Sequence, residues 1–201
     1  MTKSVRPVSL RGETEIEDPL HVVLGYLEAW RFEVGDLSAS FAEPDLRLAN
    51  RGGARISAAE ITVILERRDA IERALGALPS NASLAGATQS VPWLSLRHLF
   101  DAFGDIRGVG LSKTTKVLHP KRPALIPMLD SVVQSYLTDD DLGAAAPFGE
   151  RAVELVRAYK GDLDRNHQPL RAIEREVARR GHDLTAVRIL DLLIWSARTA
   201  G

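Results

Sequence analysis

Apolar residues recur at helical spacing along most of this chain, and this pattern restricts the fold more than any other feature. Asp18-Pro19 is a typical helix start, and leucine or valine follows it at intervals of three and four residues. Ser57 and Glu60 form a capping box before a run at 61–78. Alternation of apolar and polar residues is scarce, so the sequence predicts an all-α fold. Further helical runs are predicted at 93–103, 131–137, 153–159, 170–180 and 184–197.

Two regions differ in character. Residues 1–18 are polar and carry charges of both signs, so we expect a loosely held, flexible N-terminal arm. Residues 19–201 are predicted to form a single helical domain, built as one or two lobes. A chain of 201 residues can bury about 70% of the surface that it exposes when unfolded, which is enough for a core without disulfides.

Composition excludes several kinds of protein. Cysteine is absent, which rules out a disulfide framework, an iron–sulfur cluster and a thiolate zinc site. The five histidines have no metal-type spacing, so no metal ligands are predicted. No stretch approaches the ~20 apolar residues that a membrane helix needs. We therefore expect a cytoplasmic protein with no membrane partner and leave its oligomeric state open.

The distribution of charge indicates where a nucleic acid could bind. The formal net charge is −1, so any such binding must come from a local patch. The stretch from Ile106 to Leu129 holds five basic residues and no acidic one. The alternative is that these side chains form only a solvated face.

A turn between two predicted helices lies within this stretch. Gly108 and Gly110 flank Val109, and a backbone without side chains lets a phosphate approach closely. The next helix is predicted to begin near Ser112, so its free N–H groups face an anion. Lys113 and Lys116 lie three residues apart on it and can reach flanking phosphates. The prediction is a helix-hairpin-helix element at 98–118 that binds DNA backbone phosphates.

These residues resemble the helix-hairpin-helix DNA glycosylase superfamily, which excises damaged or mismatched bases. Gly108-Val109-Gly110 matches the hairpin of that superfamily, and Asp130 lies 18 residues after Ser112, which matches its spacing to an essential aspartate. The resemblance implies a DNA-glycosylase-like fold. Bifunctional members carry a nucleophilic lysine where this chain has Ser112, so the resemblance implies a monofunctional, water-dependent enzyme. Lys113 is a poor substitute because it points about 100° away around the helix.

The resemblance makes Asp130 the candidate catalytic residue. A carboxylate beside the sugar stabilises an oxocarbenium ion and activates water. The alternative is that Asp130 only caps the following helix, and the two roles can coexist. His119 is a further candidate for a DNA contact, against the alternative of a histidine at a helix C-terminus. No cofactor is expected, and the resemblance leaves open a monovalent cation on the hairpin carbonyls.

Other interpretations also stay open at this stage. The protein could be a DNA-binding module without chemistry, or a helical interaction protein that binds no nucleic acid. The segment from Lys116 to Ser131 is also similar to that of actinobacterial proteins with no assigned function, which implies no activity. The helical spacing of Trp30, Trp93 and Trp195 predicts that they pack in the core, against the alternative that they stack on a base. Asp139–Asp141 are predicted to form an acidic loop, against the alternative of a divalent cation site.

Overall fold

The computed structural model describes residues 5–12, 14–29, 35–86, 90–137 and 146–199. This part of the chain is mostly helical, which confirms the all-α class. A short antiparallel pair, β1 (Val8–Ser9) and β2 (Glu15–Ile16), precedes the helices. The helices are α1 (Pro19–Ala29), α2 (Glu43–Arg51), α3 (Ala58–Glu66), α4 (Arg68–Gly76), α5 (Trp93–Asp101), α6 (Leu111–Leu118), α7 (Ser131–Leu137), α8 (Phe148–Arg165), α9 (His167–Arg179) and α10 (Ala186–Thr199).

The helix starts agree with the sequence analysis where capping residues mark them. Asp18 accepts the backbone N–H of His21 at 3.1 Å at the start of α1. Ser57 and Glu60 form the predicted capping box, with bonds of 3.3 and 2.8 Å. The run predicted at 61–78 is two helices, because Arg67 leaves the helical conformation and donates a hydrogen bond to the carbonyl oxygen of Gly104.

Helix α2 is not predicted from the sequence, because Pro44 indicates an interruption of the segment that forms it. In the structure Pro44 lies in the first turn of α2, where a missing N–H costs nothing. The Asp45 side chain accepts the backbone N–H of Ala42 at 2.8 Å and so satisfies the helix start.

The N-terminal residues are held more firmly than predicted. Val8 is fully buried, and Ser9 exchanges two hydrogen bonds with the Asn166 side chain, at 2.9 and 2.8 Å. Arg11 pairs with the buried Asp162 at 2.9 Å and contacts the Tyr136 ring. The described residues from 5 to 12 are therefore packed on the domain and are not a loose arm.

One continuous hydrophobic cluster joins the helices. Helix α10 packs against α1, α7 and α9, while α8 crosses α5 closely at Gly149. A side chain at Gly149 would collide with Asp101, whose carboxylate accepts the Gly149 N–H at 2.9 Å. Helix α6 packs on α2. No helix among the described residues has the length and apolar character needed to cross a membrane.

Candidate functional site

The 106–118 segment (Ile106–Leu118) forms a tight turn followed by α6. Gly108 adopts a φ of +83°, a left-handed conformation that favours glycine. The N–H of Val109 donates to the carbonyl oxygen of Ile106 at 3.0 Å, and both side chains are buried. Val109 therefore locks the turn, and α6 begins at Leu111, next to the start that the sequence predicts near Ser112.

The start of α6 is open to solvent. Gly110 is its N-cap, has an extended backbone and faces open space where a side chain would be. Among the described residues no side chain caps the helix, and its first turn contains no acidic residue. The first N–H groups of α6 are thus available to an anion. One of them belongs to Ser112, which is partly buried.

The basic patch predicted from Ile106 to Leu129 is smaller in the structure. Lys121 is 1% exposed and pairs with Asp45 at 2.8 Å. Arg122 is 3% exposed and donates to the carbonyl oxygens of Leu37 at 2.7 Å and Leu75 at 3.0 Å. Leu75 lies in the last turn of α4, where unpaired carbonyl groups attract a cation. Both residues therefore stabilise the fold and do not face a ligand.

The two lysines of α6 already have partners. Lys113 binds both carboxylate oxygens of Glu60, at 2.7 and 2.8 Å. This hydrogen bond holds the pKa of Glu60 below its ordinary value of 4.5. The same carboxylate lies close to Gly108, so a side chain there would require the flexible end of Glu60 to move. Lys116 donates to the carbonyl oxygen of Gly53 at 3.2 Å and remains partly exposed.

Asp130 is held by three hydrogen-bond donors. Its Oδ1 accepts the N–H groups of Val132 and Val133, both at 3.0 Å, which is the predicted capping role. Its Oδ2 accepts the indole N–H of Trp195 at 2.7 Å. Trp195 is 40% exposed, so the prediction that it packs in the core is wrong. A partly exposed carboxylate beside an exposed aromatic ring can contact a sugar and its base together.

A buried charged cluster supports the loop that carries Asp130. Asp191 in α10 accepts the N–H of Met128 at 3.3 Å, and the Arg188 guanidinium group lies 3.9 Å from the same oxygen. Arg188 also contacts the sulfur of Met128 at 3.5 Å. The loop before α7 is therefore bound to α10 by a carboxyl group and a guanidinium group.

The protonation of Asp191 follows from its surroundings. Burial raises the pKa of Asp191 to about 7. The Tyr159 hydroxyl lies 2.6 Å from the carbonyl oxygen of Val187 and 3.0 Å from Asp191 Oδ1. The single hydroxyl proton of Tyr159 makes one strong hydrogen bond, and the shorter distance is the one to Val187. A protonated Asp191 can then donate to the Tyr159 oxygen.

His119 does not face solvent as a phosphate ligand would. It is 6% exposed, and its Nδ1 lies 2.7 Å from the carbonyl oxygen of Ile126. Burial lowers the pKa of His119 to about 4, and the nearby Arg188 adds to this effect. His119 is therefore neutral near pH 7 and fixes the chain between α6 and Asp130.

Among the described residues, the remaining charged and aromatic candidates do not add to this site. Glu176 pairs with Arg179 and Arg180 on an exposed face at the end of α9. Within the described ranges, no group of three or more metal-ligating side chains could hold a metal ion. Trp30 and Asp139–Asp141 lie outside the described residues.

The sequence of the chain is similar to a known protein family. The sequence profile of DUF6308, a family of unknown function, matches residues 53–198. The chain belongs to this family. The matched range contains Glu60, the 106–118 segment, Asp130 and Trp195, so the candidate site lies within the part of the chain that defines DUF6308. No curated protein and no solved structure matches the chain.

Three of these residues are not assigned to the site from the sequence. Asp191 has a detectable signal, because it is the one acidic residue within the apolar run 189–194 and must be paired or neutral when buried. Trp195 has no signal that separates it from a core tryptophan. Glu60 reads as a capping residue, and its contact with Lys113 joins residues 53 positions apart.

Proposed function

We propose that this protein binds a nucleic-acid strand with the 106–118 segment and acts on an N-glycosidic bond with Asp130, as a monofunctional DNA glycosylase does. The observation that carries the proposal is the link between the two parts. The Leu129 N–H donates to the Thr115 hydroxyl of α6 at 3.0 Å, and Asp130 follows directly. This bond attaches the segment that carries Asp130 to α6.

The chemistry requires little beyond this arrangement. A nucleotide turned out of the strand places its sugar beside Asp130 and its base against Trp195. The C1′–N bond breaks, its electron pair leaves with the base, and the carboxylate stabilises the oxocarbenium ion. Water adds to C1′ and gives its proton to Asp130, and the released base takes up a proton from solvent. Ser112 has no amine, so the reaction needs water as the nucleophile.

The binding step is tested with duplex DNA at several salt concentrations. Arg107 is exposed and Lys116 is partly exposed, so we expect the double reversal Arg107→Glu and Lys116→Glu to weaken binding for all sequences and reduce the salt dependence. The matched control is Arg179→Glu with Arg180→Glu. It lowers the net charge of the protein by the same amount, but at the C-terminal end of α9. Equal affinities for the two double variants would contradict this placement of the binding surface.

A second candidate is a helical interaction protein that binds no nucleic acid. The small size of the basic patch favours it. Lys121 and Arg122 are buried, and Lys113 is paired with Glu60. This candidate predicts no DNA binding at low salt by the wild-type protein or by either double variant.

A further inference from the structure

The Glu60 carboxylate has the surroundings that a bound phosphate would have. Lys113 binds both of its oxygens, the Ser57 N–H donates to Oε2 at 2.8 Å, and the bare backbone of Gly108 faces it. An ammonium group and a bare glycine backbone form a typical anion site, and the Ser57 N–H is the capping-box contact of Glu60 itself. The residue that fills it belongs to the chain itself.

We propose that this is a phosphate-binding position, and that Glu60 occupies it until a backbone phosphate of the nucleic-acid strand displaces its carboxylate. The inference rests on the proposed function, to which it adds a defined ligand group and an internal competitor. Glu60 thereby sets the affinity of the 106–118 segment for phosphate.

The contacts allow such an exchange. The side chains of Lys113 and Glu60 are 23% and 14% exposed, so the pair lies at the surface and water reaches it. Lys113 lies in the first turn of α6, whose unpaired N–H groups favour an incoming anion. When Glu60 leaves, the exposed Ser57 N–H can bind water. The incoming phosphate takes over the ammonium group, so no buried charge is left unpaired.

Gly108 lets an anion approach the backbone closely at this position. Its φ of +83° disfavours any other residue, and a Cβ atom there would meet the far end of the flexible Glu60 side chain. The bare backbone therefore leaves room for either the Glu60 carboxylate or an incoming phosphate.

The test compares Glu60→Gln with wild type in binding a duplex oligonucleotide. Glutamine also serves in a capping box and still accepts the Ser57 N–H, so α3 keeps its start while the negative charge is lost. The matched control is Glu43→Gln, which removes one charge from the exposed pair of Glu43 with Arg47 on α2. Thermal melting of each variant verifies that it is folded.

We expect Glu60→Gln to lower the dissociation constant roughly three- to tenfold at about 0.1 M salt. The slope of log K against log salt should steepen by about 0.9, because Lys113 then neutralises one more phosphate. Adding Lys113→Met should remove this gain, whereas Lys113→Met alone should change wild-type binding less. Glu43→Gln should leave the slope unchanged.

Two results overturn the inference, and they differ in what they say about the proposed function. If Glu60→Gln binds like Glu43→Gln while reversal of Arg107 and Lys116 still weakens binding, the competitor role is wrong and the binding surface stands. If neither wild type nor Glu60→Gln binds DNA at low salt, both the inference and the proposed function fail.

Discussion

The backbone N–H of Leu129 donates a hydrogen bond of 3.0 Å to the hydroxyl of Thr115. That hydroxyl donates in turn to the carbonyl oxygen of Leu111, one turn earlier in α6, at 2.9 Å. Because Asp130 follows Leu129, this bond links the open start of α6 to the candidate catalytic carboxylate.

Thr115→Val keeps the shape of the side chain but leaves the buried N–H of Leu129 without an acceptor. We expect a loss of about 1–3 kcal/mol in the free energy of unfolding, measured in urea. Thr114 is the matched control, because its buried hydroxyl has no hydrogen-bond partner in the described part of the chain. Thr114→Val should be neutral or stabilising, and equal losses in both variants would contradict the linking role of Thr115.

Arg122→Met removes a buried cation from the carbonyl groups at the end of α4. We expect the free energy of unfolding to fall by about 3 kcal/mol, because several buried acceptors lose their donor. The salt dependence of DNA binding should stay that of wild type when both are measured under folding conditions. A reduced salt slope would show that Arg122 contacts phosphate and would contradict a purely structural role.

Asp191 and His119 change stability with pH in opposite directions. Folded Asp191, with a pKa of about 7, keeps a proton that the unfolded chain loses above 3.8, so stability falls as pH rises between these values. Folded His119, with a pKa of about 4, lacks a proton that the unfolded chain keeps up to 6.5, so stability rises with pH there. Each slope is at most about 1.4 kcal/mol per pH unit, and the two offset each other.

Asp191→Asn removes one of these slopes and keeps an acceptor for the Met128 N–H. The difference in unfolding free energy, variant minus wild type, should therefore increase steadily from pH 4 to pH 7. Urea unfolding at half-unit intervals of pH measures it. A difference that is constant with pH would mean that Asp191 is ionised in the folded protein.

Trp195→Phe removes the indole donor to Asp130 and keeps an aromatic surface. Trp195 is 40% exposed, so we expect less than about 1 kcal/mol of lost stability. Base release should slow by about tenfold, since a hydrogen bond that orients the carboxylate is lost. Trp93→Phe is the control, because Arg157 lies over the Trp93 ring at 4.2 Å from its centroid, whereas the indole that donates to Asp130 is that of Trp195. Equal rates for the two variants would remove Trp195 from the site.

Local signals account for what the sequence predicted well. Capping residues at Asp18, Ser57 and Asp130 mark real helix starts, because the cap and the helix are within a few residues of each other. The turn at Gly108 is predicted for the same reason, since its φ depends on local geometry.

Long-range contacts account for what the sequence did not predict. The acid-free stretch looks basic in sequence, yet Lys121 is paired with Asp45 from α2 and Lys113 with Glu60 from α3. Whether a cation faces solvent or an acid depends on which helices meet, and no spacing rule within one sequence supplies that. The exposure of Trp195 is also a property of packing.

The release of free base from DNA tests the central claim most directly. Single-stranded and duplex oligonucleotides with a panel of damaged and mismatched bases are incubated with wild type, Asp130→Asn and Asp18→Asn. Both substitutions keep a helix cap, so all three proteins should fold alike. We predict base release by wild type and Asp18→Asn, and a loss of about a hundredfold or more in Asp130→Asn. No release from any substrate, or equal release by all three proteins, would contradict the account.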